Sequence, residues 1–224
     1  MKKIVLCAFA LTVFNFINAQ EESTSYKPLE GTVTTEVGLT GGLNNANFNL
    51  GGGLLKFRYF LKEDIGLRLG VSIDNEKDEL TSTVDNPFVV NGIRNTNNNN
   101  NSFKVGVEKH FAGSNRLSTY GGVDLIVGFG KDSDEIVADN GNYIKTEQKN
   151  SRFGAAIFTG ADYYIAQKVY LGVEAGLNFV STKVKDGETS TKQGNNLDTI
   201  VNPGSKGSDF VTDIFGGIRI GYQF

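Results

Sequence analysis

Glu36, Lys56, Arg58, Arg68, Asp74, Lys104, Glu108, Asp124, Arg152, Asp162, Glu174, Asp213 and Arg219 lie in segments where polar and apolar residues alternate with a period of two. That period puts them on one face of extended strands, with the apolar residues on the other. Acids and bases are mixed on this face, so its chemistry is ion pairing. Counting along each strand from its short turn places Glu36, Arg58, Arg68, Glu108, Asp124, Asp162, Glu174 and Arg219 at similar heights. Charges taken out of water cost several kcal/mol each unless they are paired, so these eight are expected to form one ion-pair network. Tyr120, Tyr164 and Tyr170 offer hydroxyl partners.

Other chemistry is scarce. His110 is the single histidine, and its acidic neighbour on the same face is Glu108. No nucleophile is assignable beside it, so a triad lacks one of its roles and His110 reads as structural. One histidine and one cysteine, Cys7, exclude the common zinc ligand sets. Asp74, Glu76, Asp78 and Glu79 read as a solvated acidic loop. Gly51-Gly52-Gly53 is no phosphate loop, because the Lys and Ser/Thr that hold phosphate do not follow it. No catalytic, cofactor or metal residue is assigned, and the chain is read as non-enzymatic.

The elements that carry the charged face recur regularly. Apolar stripes run through Val33–Leu39, Leu55–Leu61, Ile65–Ile73, Phe103–Phe111, Val123–Phe129, Phe153–Ile165, Val169–Phe179 and Phe210–Phe224. They run from 7 to 15 residues, around the roughly nine to eleven that a tilted strand needs to cross a hydrocarbon layer. The connections around 62–64, 112–118 and 166–168 are short. Those at 75–101, 131–150 and 180–209 are long and polar, and 42–50 is rich in Gly and Asn. Within 131–150, Asn140-Gly141 is expected at a type I′ turn. The run Asn97–Asn101 reads as a low-complexity spacer, and 195–209 as an exposed mobile loop.

Composition agrees. With 28 Gly, 16 Phe and 3 Pro the chain favours twisted strands over helices. Lys2 and Lys3, the apolar run Ile4–Phe14 and the small residues before Gln20 form a secretory signal over 1–19. Cys7 would leave with it. The formal net charge of −3 becomes −5 once Lys2 and Lys3 are removed, and no basic block marks a nucleic-acid partner.

The alternation, the segment Gly106–Gly122 and the last strand with its final aromatic resemble small outer-membrane β-barrels, the membrane domain of OmpA-like proteins and OmpX-like barrels among them. The resemblance implies an all-β, eight-stranded antiparallel up-and-down transmembrane barrel over 31–224. A periplasmic lead over 20–30 precedes it, and both termini are periplasmic. Charged interiors of such barrels are plugs by default. The family's insertion machinery reads the closing strand, here Ile218, Ile220, Tyr222 and Phe224. Implied partners are outer-membrane lipid, lipopolysaccharide, that machinery, and a surface ligand through 75–101, 131–150 and 180–209. The barrel is expected to be a monomer without cofactors, with a structural or interaction role. A narrow low-conductance channel is the first alternative. Lipid-modifying barrel enzymes are a further one, but they resemble a Ser–His–acid site that His110 does not complete.

Overall fold

The computed structural model describes residues 25–39, 54–83, 91–111, 113–205 and 209–224. The expected signal over 1–19, the first part of the lead, the Gly-rich 42–50, Gly51-Gly52-Gly53 and residues 84–90 lie outside the described residues. Among the described residues there are ten strands and no helix. They are β1 Val33–Leu39, β2 Leu54–Lys62, β3 Ile65–Thr83, β4 Asn91–Phe111, β5 Leu117–Ala138, β6 Tyr143–Tyr164, β7 Val169–Val184, β8 Gly187–Gln193, β9 Asn196–Asn202 and β10 Asp209–Gln223.

Eight of these close on themselves. Antiparallel pairing runs β1-β2-β3-β4-β5-β6-β7-β10, and β10 returns to β1 through Val37↔Ile220 and Glu36↔Gly221. Closure removes every edge from this ring, which an open sheet exposing such apolar strands would need to hide. The hairpin β8–β9 stands outside the ring and adds to the upper part of β6 through Tyr143↔Lys192 to Glu147↔Glu188.

Packing is inverted relative to a water-soluble barrel. Val105, Leu125 and Phe153 are 58–63% exposed on the outside, whereas Glu36, Lys56, Arg58 and Asp162 are at most 1% exposed inside. Eight strands enclose a space that side chains fill. The polar residues therefore make the core, and the apolar ones make a band for lipid. The hydrophobic contribution of that band is realised against acyl chains, not inside the molecule.

Several strands run much further than their apolar stripes. β3 has 19 residues, β4 has 21, and β5 and β6 have 22 each. Asn97–Asn101, expected as a spacer, pairs with β3 on one side and β5 on the other. The expected loop at 180–209 likewise contains the end of β7 and all of β8 and β9. Above the lipid both faces of a sheet meet water, so the polarity alternation stops while the backbone ladder continues. The turn at the top of β5 and β6 also differs from expectation. Gly141 N–H donates to Ala138 C=O at 2.9 Å and only Gly141 has positive φ (79°). A type I′ turn needs two such residues. Here a type I turn over 138–141 is followed by one left-handed glycine, the usual three-residue hairpin.

Inside the ring, a glycine makes room for a ring. A Cβ on Gly221 would overlap the side chain of Tyr170, which reaches across to hydrogen-bond Glu36 Oε1 at 3.0 Å. Gly221→Ala should therefore lower barrel stability by about 1–3 kcal/mol. The urea midpoint of unfolding in lipid vesicles measures this. An unchanged midpoint would mean that Tyr170 has somewhere else to go.

Candidate functional site

Strand alternation delivers the inward charges, and barrel shear brings them together from all sides. Arg58 is at the centre. Its guanidinium contacts Glu36 Oε1 at 2.6 Å, Glu108 Oε1 at 2.9 Å and Asp162 Oδ2 at 2.8 Å, and Thr34 Oγ1 accepts from its Nε at 3.2 Å. Arg68 donates in bidentate fashion to Glu174 at 2.9 and 3.0 Å and reaches Glu108 Oε2 at 3.3 Å. It also lies 3.0 Å from Asp124 Oδ1, a charge contact without hydrogen-bond alignment, since both Asp124 oxygens lack a hydrogen-bond donor. Arg219 touches Glu174 Oε2 at 2.8 Å and Glu36 Oε2 at 3.0 Å. The latter contact ties β10 to β1 across the seam of the barrel.

All eight residues singled out from sequence thus share one connected cluster. Lys56 belongs to it as well, at 3.2 Å from Glu36 and 3.1 Å from Glu174. Height counting left Lys56 out because strands in a barrel tilt and shear. Glu36 and Lys56 are in fact directly opposite each other in the β1–β2 register. The buried set holds Lys56, Arg58, Arg68 and Arg219 against Glu36, Glu108, Asp124, Asp162 and Glu174. Lys104, partly exposed above them, interacts electrostatically with Asp124 and Glu174 and brings the two signs level.

Aromatic rings fill the space between the charges. The Arg68 guanidinium is 3.7 Å from the Phe158 ring centroid, and that of Arg58 lies 5.1–5.6 Å from Phe60, Tyr120 and Tyr170. Tyr120 O–H donates to Glu174 at 3.2 Å and also accepts from Arg219. Guanidinium planes over rings recover part of the solvation that burial removes.

Toward the short-turn end, His110 Nε2 is 2.8 Å from Glu108 Oε1 and its Nδ1 is 2.8 Å from Ser118 Oγ. Ser118 could not be assigned from sequence, because it reaches His110 only through the β4–β5 pairing. A Ser–His–Glu line results, yet Ser118 is 3% exposed and Glu108 is engaged by two arginines. The line braces the end of the lumen and presents no nucleophile to solvent.

The lead also contributes a feature that its composition does not signal. Gly31 N–H donates to Phe60 C=O at 2.8 Å beside β2. On the far side of the ring, Arg116 in the β4–β5 connection donates to Tyr26 Oη at 2.7 Å and stacks 4.2 Å from its ring centroid. The described part of the lead therefore crosses the short-turn mouth as a strap, in which Pro28 is buried.

At the other end the strands carry surface pairs. Asp134 accepts from Arg94 at 2.9 Å, and that hydrogen bond holds its carboxyl below the usual range. Glu147 is lowered likewise by hydrogen bonds from Lys145 and Lys131, at 2.9 and 3.0 Å. On β10, Ile218, Ile220 and Tyr222 face outward at 39–41% exposure, and the Tyr222 and Phe224 rings meet edge-on at 5.0 Å. Asp213, expected on the inward face, is on β10, and its side chain lies outside the described residues. Asp74 is exposed, and Arg152 donates to Asn100 at 2.9 Å above the cluster.

Comparison with known proteins gives one family match. The profile described as "Putative OmpA-OmpF-like porin family" matches residues 44–180. No curated protein matches the chain. Among solved structures, the N-terminal β-barrel domain of Pseudomonas aeruginosa OprF aligns at 16% identity and TM-score 0.35, covering 87% of this chain and 98% of that one. Acinetobacter baumannii CarO2 aligns at 12% identity and TM-score 0.40, covering 88% and 100%. Ail, the attachment invasion locus protein of Yersinia pestis, aligns at 13% identity and TM-score 0.35, also covering 88% and 100%.

Proposed function

This chain belongs to the OmpA-OmpF-like porin family of outer-membrane β-barrels, and we propose that it works within that family as a closed barrel rather than an open pore. The observation that carries this reading is the connected ion-pair cluster, with its aromatic fill, across the full width of the lumen. An ion entering would have to displace a guanidinium from two or three carboxylates at once. The strap from Tyr26 to Arg116 supports closure at a second level. In this reading residues 1–19 direct export, both termini are periplasmic, the barrel is a monomer without catalytic activity, and Ile218, Ile220, Tyr222 and Phe224 are presented to the insertion machinery.

The role then falls to the outer extension. Strands β3 to β6 continue beyond the apolar band, and β8–β9 widens the sheet they form. Such a surface suits a structural or interaction role at the cell surface. A complementation experiment tests it. Cells lacking the gene would receive either the whole chain or a version with β3–β4, β5–β6 and β8–β9 shortened to the level of the band. Both versions should migrate as heat-modifiable barrels on gels, and only the whole chain should restore the surface phenotype of the deletion. Full rescue by the shortened version would move the function into the barrel wall.

A further inference from the structure

Outside the barrel, the alternation that places Leu125, Val127 and Phe129 of β5 toward lipid continues to Lys131. On β6 the outward series Ile157, Ala155, Phe153 and Ser151 continues to Lys149. On β7 it passes from Phe179 and Ser181 to Lys183 and, one residue past the strand's end, to Lys185. The register aligns these ends. Lys131 is opposite Lys149, and Lys185 N–H donates to Lys149 C=O at 2.8 Å, so Lys131, Lys149 and Lys185 form one row across three strands. Lys183 is in the row beneath, opposite Ser151, which is itself opposite Phe129.

Height fixes what this row meets. From Leu117 to Phe129 the outward band of β5 covers roughly 12 residues, which at about 3.4 Å each and a tilt of ~40° spans about 30 Å. That is the thickness of a hydrocarbon core. The lysine row comes one outward position later, about 5 Å higher, at headgroup level.

The row is also electrostatically incomplete. Lys131 is held by Glu147 at 3.0 Å. Lys149, Lys183 and Lys185 are exposed, and among the described residues they make no ion pair. Like charges directly opposite on neighbouring strands repel, so Lys149 facing Lys185 is unfavourable without an anion between them. Long lysine stems can lie along Phe153 and Phe129 while three ammonium groups converge on a ligand above.

We infer that Lys149, Lys183 and Lys185 bind the phosphate of an outer-leaflet lipopolysaccharide headgroup. This rests on the outer-membrane barrel reading above and adds a lipid site on the β5–β7 wall. Ammonium groups bind phosphate as point charges, and each lysine near an anionic membrane surface contributes about 1 kcal/mol, or about fivefold in affinity.

The test uses the whole chain refolded in zwitterionic micelles, with heat-modifiable migration confirming that the barrel has formed. Fluorescently labelled lipopolysaccharide is titrated and its anisotropy followed. Lys149→Ala/Lys183→Ala/Lys185→Ala should bind about 100-fold more weakly, with most of the difference lost at high salt. Wild-type protein should bind dephosphorylated lipopolysaccharide as weakly as the variant binds the intact lipid. Without lipid the variant should be at least as stable as wild type, because the repulsion is gone. Equal affinity of wild type and variant, or indifference to dephosphorylation, would overturn the site. Full competition by millimolar inorganic phosphate would overturn the assignment to a lipid headgroup. Failure to form a heat-modifiable barrel would instead count against the barrel reading itself.

Discussion

Arg58→Leu is expected to lower the stability of the folded barrel by about 3–5 kcal/mol, read as the urea midpoint of unfolding in lipid vesicles. Its guanidinium is the shared cation of Glu36, Glu108 and Asp162, and each of those carboxylates is at most 2% exposed. Leucine leaves three acids facing a site that water cannot easily reach. The penalty arises from stranded partners and not from the intrinsic worth of the pairs. Replacing Asp162 by Leu in the same chain should therefore recover part of the loss. A single variant as stable as wild type would mean that water enters the lumen freely enough to solvate the acids.

Glu174→Leu should act through the opposite sign. Glu174 gathers Lys56, Arg68 and Arg219 within 2.8–3.1 Å and accepts from Tyr120. Its loss leaves three cations around a shortened side chain, with Glu36 still engaging Lys56 and Arg219. The expected destabilisation is again about 3–5 kcal/mol. A second effect is expected in planar bilayers. Repelled cations part, the constriction loosens, and intermittent current steps appear with a reversal potential that favours anions. Wild-type stability, or cation-selective steps, would contradict this placement of charge.

The sequence carried much of this site in its two-residue period. Within a barrel wall each residue faces lipid or lumen, so polarity alone sorts the two faces, and Arg58, Arg68 and Glu174 were legible as inward. Two kinds of information were missing. Contacts between distant strands depend on tilt and shear, which no count along a single strand contains. That is why Lys56 was set apart from Glu36 although the two are direct neighbours, and why Ser118 was not seen beside His110. The outer extension was hidden for a different reason. Above the lipid, the β3–β6 sheet meets water on both sides, so Asn97–Asn101 shows no alternation and reads as loop while every residue is laddered to two neighbours. The strap is pinned at its outer end by Tyr26 with Arg116, 90 positions apart in sequence.

Closure of the lumen is the claim on which the rest depends, and single-channel recording of the wild-type barrel in planar bilayers tests it most directly. The ion-pair cluster predicts a flat baseline after insertion, with inserted protein confirmed by its heat-modifiable band recovered from the membrane. Stable, ohmic current steps from the wild-type chain would contradict it and return the barrel to the open porins.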